Sequence, residues 1–141
     1  MSYEVALERM PHRGPMQLIE AVLQADEDSV ECRAKPHQAS TYPLRVDGRL
    51  HNSALVELGA QAAAAHASLH GIGKAHVGLL LTLSNVEMGD ADADQCEDAM
   101  TVRAIRLYGD ADSARYRFQV RHGDSQVILS GDAVLSMRAS A

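Results

Sequence analysis

The sequence predicts a single α+β domain over 1–141, in which a curved antiparallel sheet surrounds one buried helix. Three observations predict it. The stretch Leu50–Gly71, LHNSALVELGAQAAAAHASLHG, is the only long run free of Pro and of turn clusters, and its residues are good helix formers. Two short segments with strand character precede it. After it come one continuous apolar run and three alternating segments joined by short turns, the pattern of an antiparallel meander.

Taken in order, Ser2–Met10 predicts a short helix capped by Ser2, with Val5, Leu7 and Met10 as its apolar contacts. Pro11-His12-Arg13-Gly14-Pro15 ends it. Met16–Ala25 contains helix formers, but its length, the flanking prolines and the acidic turn Asp26-Glu27-Asp28 predict a strand. Ser29–Lys35 sets Val30, Cys32 and Ala34 against charged neighbours and predicts a second strand paired to the first. Pro36–Arg49 is a long connection carrying His37, Tyr42, Pro43 and the turn Asp47-Gly48. Connections of that length within a small domain are often functional.

The central helix is expected over 51–70, with Gly71 as its stop. Ala54, Ala60, Ala62, Ala63, Ala64, Ala65, Ala67 and Gly59 make it small on nearly every side. A helix that is small and apolar all round is buried, with its neighbours close against the backbone. Glu57 lies on it, followed at helical spacing by Gln61, Ala64 and Ser68. An acid on a buried helix needs a partner or a task. Glu57 is therefore the first catalytic candidate.

Beyond the turn Ile72-Gly73-Lys74, Val77–Val86 is continuously apolar and predicts a buried strand. Gly89–Asp98 is an acidic loop. Met100–Tyr108, Ala114–Arg121 and Gln126–Met137 are the meander strands, separated by Gly109-Asp110-Ala111-Asp112 and His122-Gly123-Asp124.

A chain of 141 residues can bury a sizeable core. With one Phe and no Trp, that core is expected to be aliphatic and alanine-based. Thirteen basic residues stand against nineteen acidic ones, scattered among each other, which excludes a nucleic-acid footprint. MSYEVALERMPHR lacks a signal-peptide core, and no run approaches the roughly 20 apolar residues of a membrane span. The expectation is a cytoplasmic protein with Cys32 and Cys96 as reduced thiols.

Other constellations point to nothing. His66 and His70 are four apart, as a metal pair would be, but they lie on the far side of the helix from Glu57 and no HExxH phrase accompanies them. Asp90, Asp92 and Asp94 imitate the start of a calcium loop, yet Gln95 and Thr101 stand where its Gly and Glu belong. No metal is expected. No Gly-x-Ser-x-Gly phrase is present.

Taken together, these segments resemble the hotdog-fold 3-hydroxyacyl-acyl-carrier-protein dehydratases over most of the chain. LERMPHRGPMQLIEAV is similar to that family's opening, where a Leu-Pro-His-Arg-x-Pro phrase leads into the first strand. ALVELGAQAAA is similar to its central-helix phrase, VGLLLTLSNVEM to its third strand, and LSGDAVLSM to its last. Within the family the closest likeness is to the divergent dehydratases of aryl-polyene-type pigment biosynthesis, which share the Pro-His-x-x-Pro-Met opening and an Asp-Gly turn before the helix. The resemblance implies a hotdog fold, a homodimer or oligomer of dimers, a carrier-protein-bound acyl thioester as substrate, and no cofactor.

One departure concerns the catalytic histidine. The family's Gly-His-Phe-Pro phrase is absent, and its histidine's offset from the helix acid lands on Pro43. His37 and His51 are the histidines near enough to substitute. His51 is favoured because it adjoins the helix N-terminus, whose N–H groups and dipole suit a developing enolate charge. His12 and Arg13 are read as structural. Dehydration needs removal of an α-proton and protonation of the departing hydroxyl, roles that a His and a carboxyl group can divide. His51 is the expected base and Glu57 the expected acid, with Asn52, Ser53, Gln61 and Gly78 binding substrate. The alternatives are an acyl thioesterase of the same fold, in which Glu57 activates water or attacks the thioester, and a catalytically degenerate hotdog subunit that partners an active one.

Overall fold

Alternation along the strands sends every second side chain toward the helix, and the architecture follows from it. The structure, a computed structural model, describes residues 16–70, 75–110, 112–122 and 126–139. Its strands are β1 (Ile19–Ala25), β2 (Ser29–Ala34), β3 (Ala75–Met88), β4 (Met100–Gly109), β5 (Ser113–His122) and β6 (Gln126–Ala139). Between β2 and β3 lie a 3₁₀ turn (Asn52–Leu55) and the helix α1 (Val56–His70), and a second 3₁₀ turn (Ala93–Gln95) precedes β4. The strands form one antiparallel sheet in the order β1-β2-β4-β5-β6-β3. This is the hotdog architecture expected above: β2 pairs with β4 past the helix segment, and β4-β5-β6 is the meander.

Val30, Cys32 and Ala34 on β2, Val102 and Ala104 on β4, and Ala114, Tyr116, Phe118 and Val120 on β5 are all buried. They face α1, which is itself buried at every residue from Leu58 to Ala67. The two largest fully buried side chains are Tyr116 and Phe118. They fit only because the helix opposite them is small: a Cβ added to Gly59 would overlap the Phe118 ring. The core is thus less purely aliphatic than expected, with aromatic bulk on β5 filling the space that α1 leaves.

The far end of α1 is fixed by polar groups. His66 is fully buried, with Nδ1 2.7 Å from the Tyr116 hydroxyl and Nε2 2.9 Å from the Asp26 carbonyl. Arg106 donates to the His70 carbonyl at 2.8 Å and to the Glu27 carbonyl at 2.8 Å. The helix C-terminus and the β1–β2 turn are thereby held together. The His66/His70 pair that resembles a metal site in the sequence is a stacked pair with this structural role, its ring centroids 5.2 Å apart.

Two expectations differ from what is observed. The helix expected over 51–70 is interrupted: His51 is extended, the first turn is 3₁₀, and α-helix begins at Val56. The His51 side chain accepts from the Ser53 N–H, a local bond that favours a tight cap over a continuous helix. The apolar strand before the meander is not buried throughout. Among the described residues β3 is an edge strand bonded only to β6, and Leu83, Val86 and Met88 are 36%, 41% and 57% exposed. An apolar run identifies a strand but cannot tell a central one from an edge that another surface would cover. The expected helix Ser2–Met10 and the turns at 11–15 and 72–74 lie outside the described residues, as do Gly123 and Asp124 of the turn before β6.

Candidate active site

Two loops meet at the N-terminal end of α1. Arg45 gathers the connection between β2 and the helix around itself: its Nε donates to the Ala39 carbonyl, Nη2 to the His37 carbonyl, and Nη1 to the Gly48 carbonyl. The same Nη1 reaches Asp94 in the loop after β3, at 2.6 Å. That guanidinium holds the Asp94 carboxyl below the usual carboxylate range. Asn52 ties the same two loops, donating to the Ala91 carbonyl at 2.7 Å and accepting from the Ala93 N–H at 2.8 Å. His37 makes a third tie, its Nε2 donating to the Cys96 carbonyl at 2.9 Å.

Gly89 lets the second loop start close against the sheet. Its N–H donates to the Ile128 carbonyl at 2.8 Å, and a Cβ there would overlap the Val127 carbonyl. A backbone atom cannot swing aside as a side chain can, so only glycine fits.

Between the loops lies a cavity of about 760 Å³, lined by Leu44, Leu50, His51, Asn52, Ser53, Met88, Asp92 and neighbours. That volume is in the range of small-molecule sites. Its walls combine apolar surface with the exposed imidazole of His51, the exposed hydroxyl of Ser53, the Arg49 guanidinium and the carboxylates of Asp90, Asp92 and Asp94. Nδ1 of His51 is 2.8 Å from the Ser53 Oγ and 3.2 Å from the Ser53 backbone N. Two proton placements satisfy this pair. With the ring proton on Nε2, Nδ1 accepts from Ser53. With it on Nδ1, the ring donates to Oγ, gives up the bond from the Ser53 backbone N–H, and leaves the Nε2 lone pair free to act as a base. Ser53 therefore governs which end of His51 can accept a proton.

The expected site residues divide into two groups. His51, Asn52 and Ser53 stand together on the cavity wall, although the side-chain amide of Asn52 is occupied by the loop. Glu57, in the first turn of α1, is half-buried and is not among the described residues that line this cavity. Gln61 is buried, donating to the Met16 carbonyl and accepting from the Leu18 N–H, which secures the approach to β1. Gly78 pairs with Met137 on β3, ten residues before the cavity-lining Met88. Asp92 and Asp94 belong to a capped 3₁₀ turn, Asp92 accepting from the Asp94 N–H at 3.0 Å. Among the described residues no group of three ligating side chains could hold a metal, and no helix is long and apolar enough to cross a membrane. Sequence reasoning missed Arg45, Gly89 and Asp94. The Arg45–Asp94 pair is separated by 49 positions and carries no local signal.

No curated protein matches the chain in sequence. Among solved structures, it is similar to the dehydratase heterocomplex ApeI:P from Xenorhabdus doucetiae, with 19% identity, 98% of this chain and 91% of that one covered, and a TM-score of 0.78. It is also similar to thioesterase superfamily member 2 of zebrafish, at 14% identity, 96% and 93% coverage and a TM-score of 0.68. A thioesterase from Haemophilus influenzae follows at 16% identity, 82% and 76% coverage and a TM-score of 0.64. These identities establish the shared hotdog fold. The family model of the ApeP dehydratases matches residues 5–137, nearly the whole chain, and the chain belongs to that ApeP-like dehydratase family.

Proposed function

We propose that the chain is a dehydratase subunit that converts carrier-protein-bound 3-hydroxyacyl thioesters to trans-2-enoyl thioesters, as a cytoplasmic protein. The observation that carries this reading is an exposed His51, paired to Ser53, on the wall of a ligand-sized cavity in a chain of the ApeP-like dehydratase family. His51, with its proton on Nδ1 and bonded to Ser53, presents Nε2 to the α-proton of the substrate. A carboxylic acid returns a proton to the departing hydroxyl. Glu57 is the group for this step, and it acts across a subunit boundary.

Two features favour a site shared between subunits. Glu57 does not stand with His51 among the described residues of the cavity wall, and Met88, which does line it, continues directly from the exposed edge of β3. A second hotdog subunit paired along β3 would cover Leu83 and Val86 and border the open side of the cavity. That subunit is a second copy of this chain or a related chain. The Xenorhabdus relative is a heterocomplex.

The test is product analysis with a 3-hydroxyacyl thioester and a saturated acyl thioester, using the chain alone and with a related hotdog subunit. Enoyl product from the first substrate supports the proposal. Free thiol from both substrates identifies a thioesterase instead. No product under either condition identifies a non-catalytic subunit.

A further inference from the structure

Four arginines that look scattered in the sequence are gathered by the strand pleat. On β5 the inward positions are Ala114, Tyr116, Phe118 and Val120, all buried against α1. Arg115, Arg117, Gln119 and Arg121 therefore share the outer face. On β4, Val102 and Ala104 point inward, which leaves Thr101, Arg103 and Ile105 outside, in register with Arg121, Gln119 and Arg117. The outward positions of these two central strands hold four arginines and no acid, in a chain of net charge −6.

The acids at the flanks offset only part of the charge on this stripe, three carboxylates standing against four guanidinium groups. Asp132 on β6 is only 2% exposed and is bonded by both Arg115 and Arg117, which hold its carboxyl at about 2. Arg117 keeps a 59% exposed side chain beside it. Glu31 stands across from Arg103 on β2, and Glu87 lies at the β3 margin. Among the described residues the Arg121 side chain bonds only the neutral Gln119. Ile105 and Tyr108, exposed beside the arginines, add apolar surface.

From this we infer that the outer face of β4 and β5 is the docking surface for an acidic protein partner, the carrier protein that delivers the thioester. The inference rests on the carrier-bound substrate proposed above. Arginine and tyrosine with apolar surface are the composition of protein interfaces. A nucleic-acid surface belongs to basic domains, whereas this chain has a pI of about 5.6. The stripe also ends near the cavity. Val120, next to Arg121, pairs with Leu129, which pairs with the cavity-lining Met88. Two strand spacings separate β5 from β3 at that level, about 10 Å. A carrier seated on the arginines can pass its tethered acyl chain past the Met88 end of β3, beyond the stretch at Leu83 and Val86 that a second subunit would cover.

The test uses the full chain with Arg103→Glu, Arg121→Glu and the double variant, since neither arginine touches Asp132. Initial rates are measured on a carrier-bound 3-hydroxyacyl substrate and on the N-acetylcysteamine thioester of the same acid. The expected result is a rise in carrier-substrate KM of about tenfold or more in the double variant. That rise shrinks with added salt, and small-thioester turnover stays at the wild-type level. Unchanged KM on the carrier substrate overturns the inference and leaves the dehydratase reading intact. If wild-type protein turns over neither substrate, the dehydratase reading fails by itself. Direct binding of a phosphopantetheinylated carrier protein then decides: binding lost in the double variant supports the surface, and equal or absent binding overturns it. Duplex DNA binding more tightly than the carrier also overturns it. Gln variants at both positions, with a wild-type thermal midpoint, separate lost charge from lost folding.

Discussion

The ring of Phe118 lies where a Cβ on Gly59 would stand. The helix and the centre of the sheet are closer here than any other residue at position 59 would permit, and Gly131 faces the same ring from β6. Gly59→Ala is therefore expected to lower stability by about 1–3 kcal/mol through overpacking, despite the better helix propensity of alanine. Urea unfolding of Gly59→Ala, Phe118→Leu and the double variant checks it. The double variant should lose less than the sum of the singles, because the smaller side chain leaves room for the new methyl.

That contact also shows how far the sequence could be read. Strand identities and order were legible because ARYRFQVR and MTVRAIRLY alternate cleanly, and the helix because seven alanines and a glycine leave it small all round. Position within the sheet was not legible. VGLLLTLSNV is equally apolar whether it lies in the centre or at an edge awaiting a partner. At the candidate site, the sequence favours His51 for its place before the helix, and the cavity wall includes it. The loops that shape that wall are held by Arg45–Asp94, Asn52–Ala91 and His37–Cys96, pairs more than 35 positions apart that no local pattern announces.

His66 supplies a pH dependence. The Asp26 carbonyl can only accept, so Nε2 carries the ring proton and Nδ1 accepts from Tyr116, whose hydroxyl burial keeps protonated. Burial lowers the His66 pKa, and the Arg106 and His70 charges act in the same direction against a weaker pull from Asp26. The unfolded chain therefore binds this proton at a pH where the folded chain does not. Stability should fall as pH drops below about 6.5, by at most about 1.4 kcal/mol per pH unit for this one group. His66→Gln, which keeps a donor and an acceptor but does not titrate, should flatten that slope. Urea midpoints between pH 5 and pH 8 for both proteins provide the comparison, and equal slopes would rule out His66 as the source.

The exposed edge of β3 predicts assembly. Leu83 and Val86 sit on a strand whose outer row of backbone donors and acceptors pairs with no other strand among the described residues. Val86→Lys should convert dimer to monomer in sedimentation at micromolar concentration, since a charge buried at such an interface loses its hydration. A wild-type chain that sediments as a monomer alone but pairs with a related hotdog subunit would show that the edge serves a heterodimer. A monomer under both conditions would remove the shared site.

The choice between two histidines rests on burial. His37 is 1% exposed and its Nε2 is bonded to the Cys96 carbonyl, so reaching a substrate would require the 36–50 connection to open. His51 is exposed on the cavity wall, and among the described residues its ring is bonded only to Ser53, two positions ahead. The two alanine variants should therefore fail differently. His51→Ala is expected to lower kcat by about 10²–10⁴-fold, the range for a lost proton-transfer group. Its stability should fall by no more than about 1 kcal/mol, from the lost cap. His37→Ala should lose about 1–3 kcal/mol of stability as the Cys96 carbonyl gives up its partner, with kcat reduced only as far as the loops loosen. Glu57→Gln should match His51→Ala in rate if both act on one substrate. Mixing the two inactive variants then reports the geometry. If each site takes His51 from one subunit and Glu57 from the other, random re-pairing leaves half of the dimers mixed, each with one intact site. About a quarter of the sites, and so a quarter of wild-type activity, should return on mixing. A site built within one chain would recover nothing.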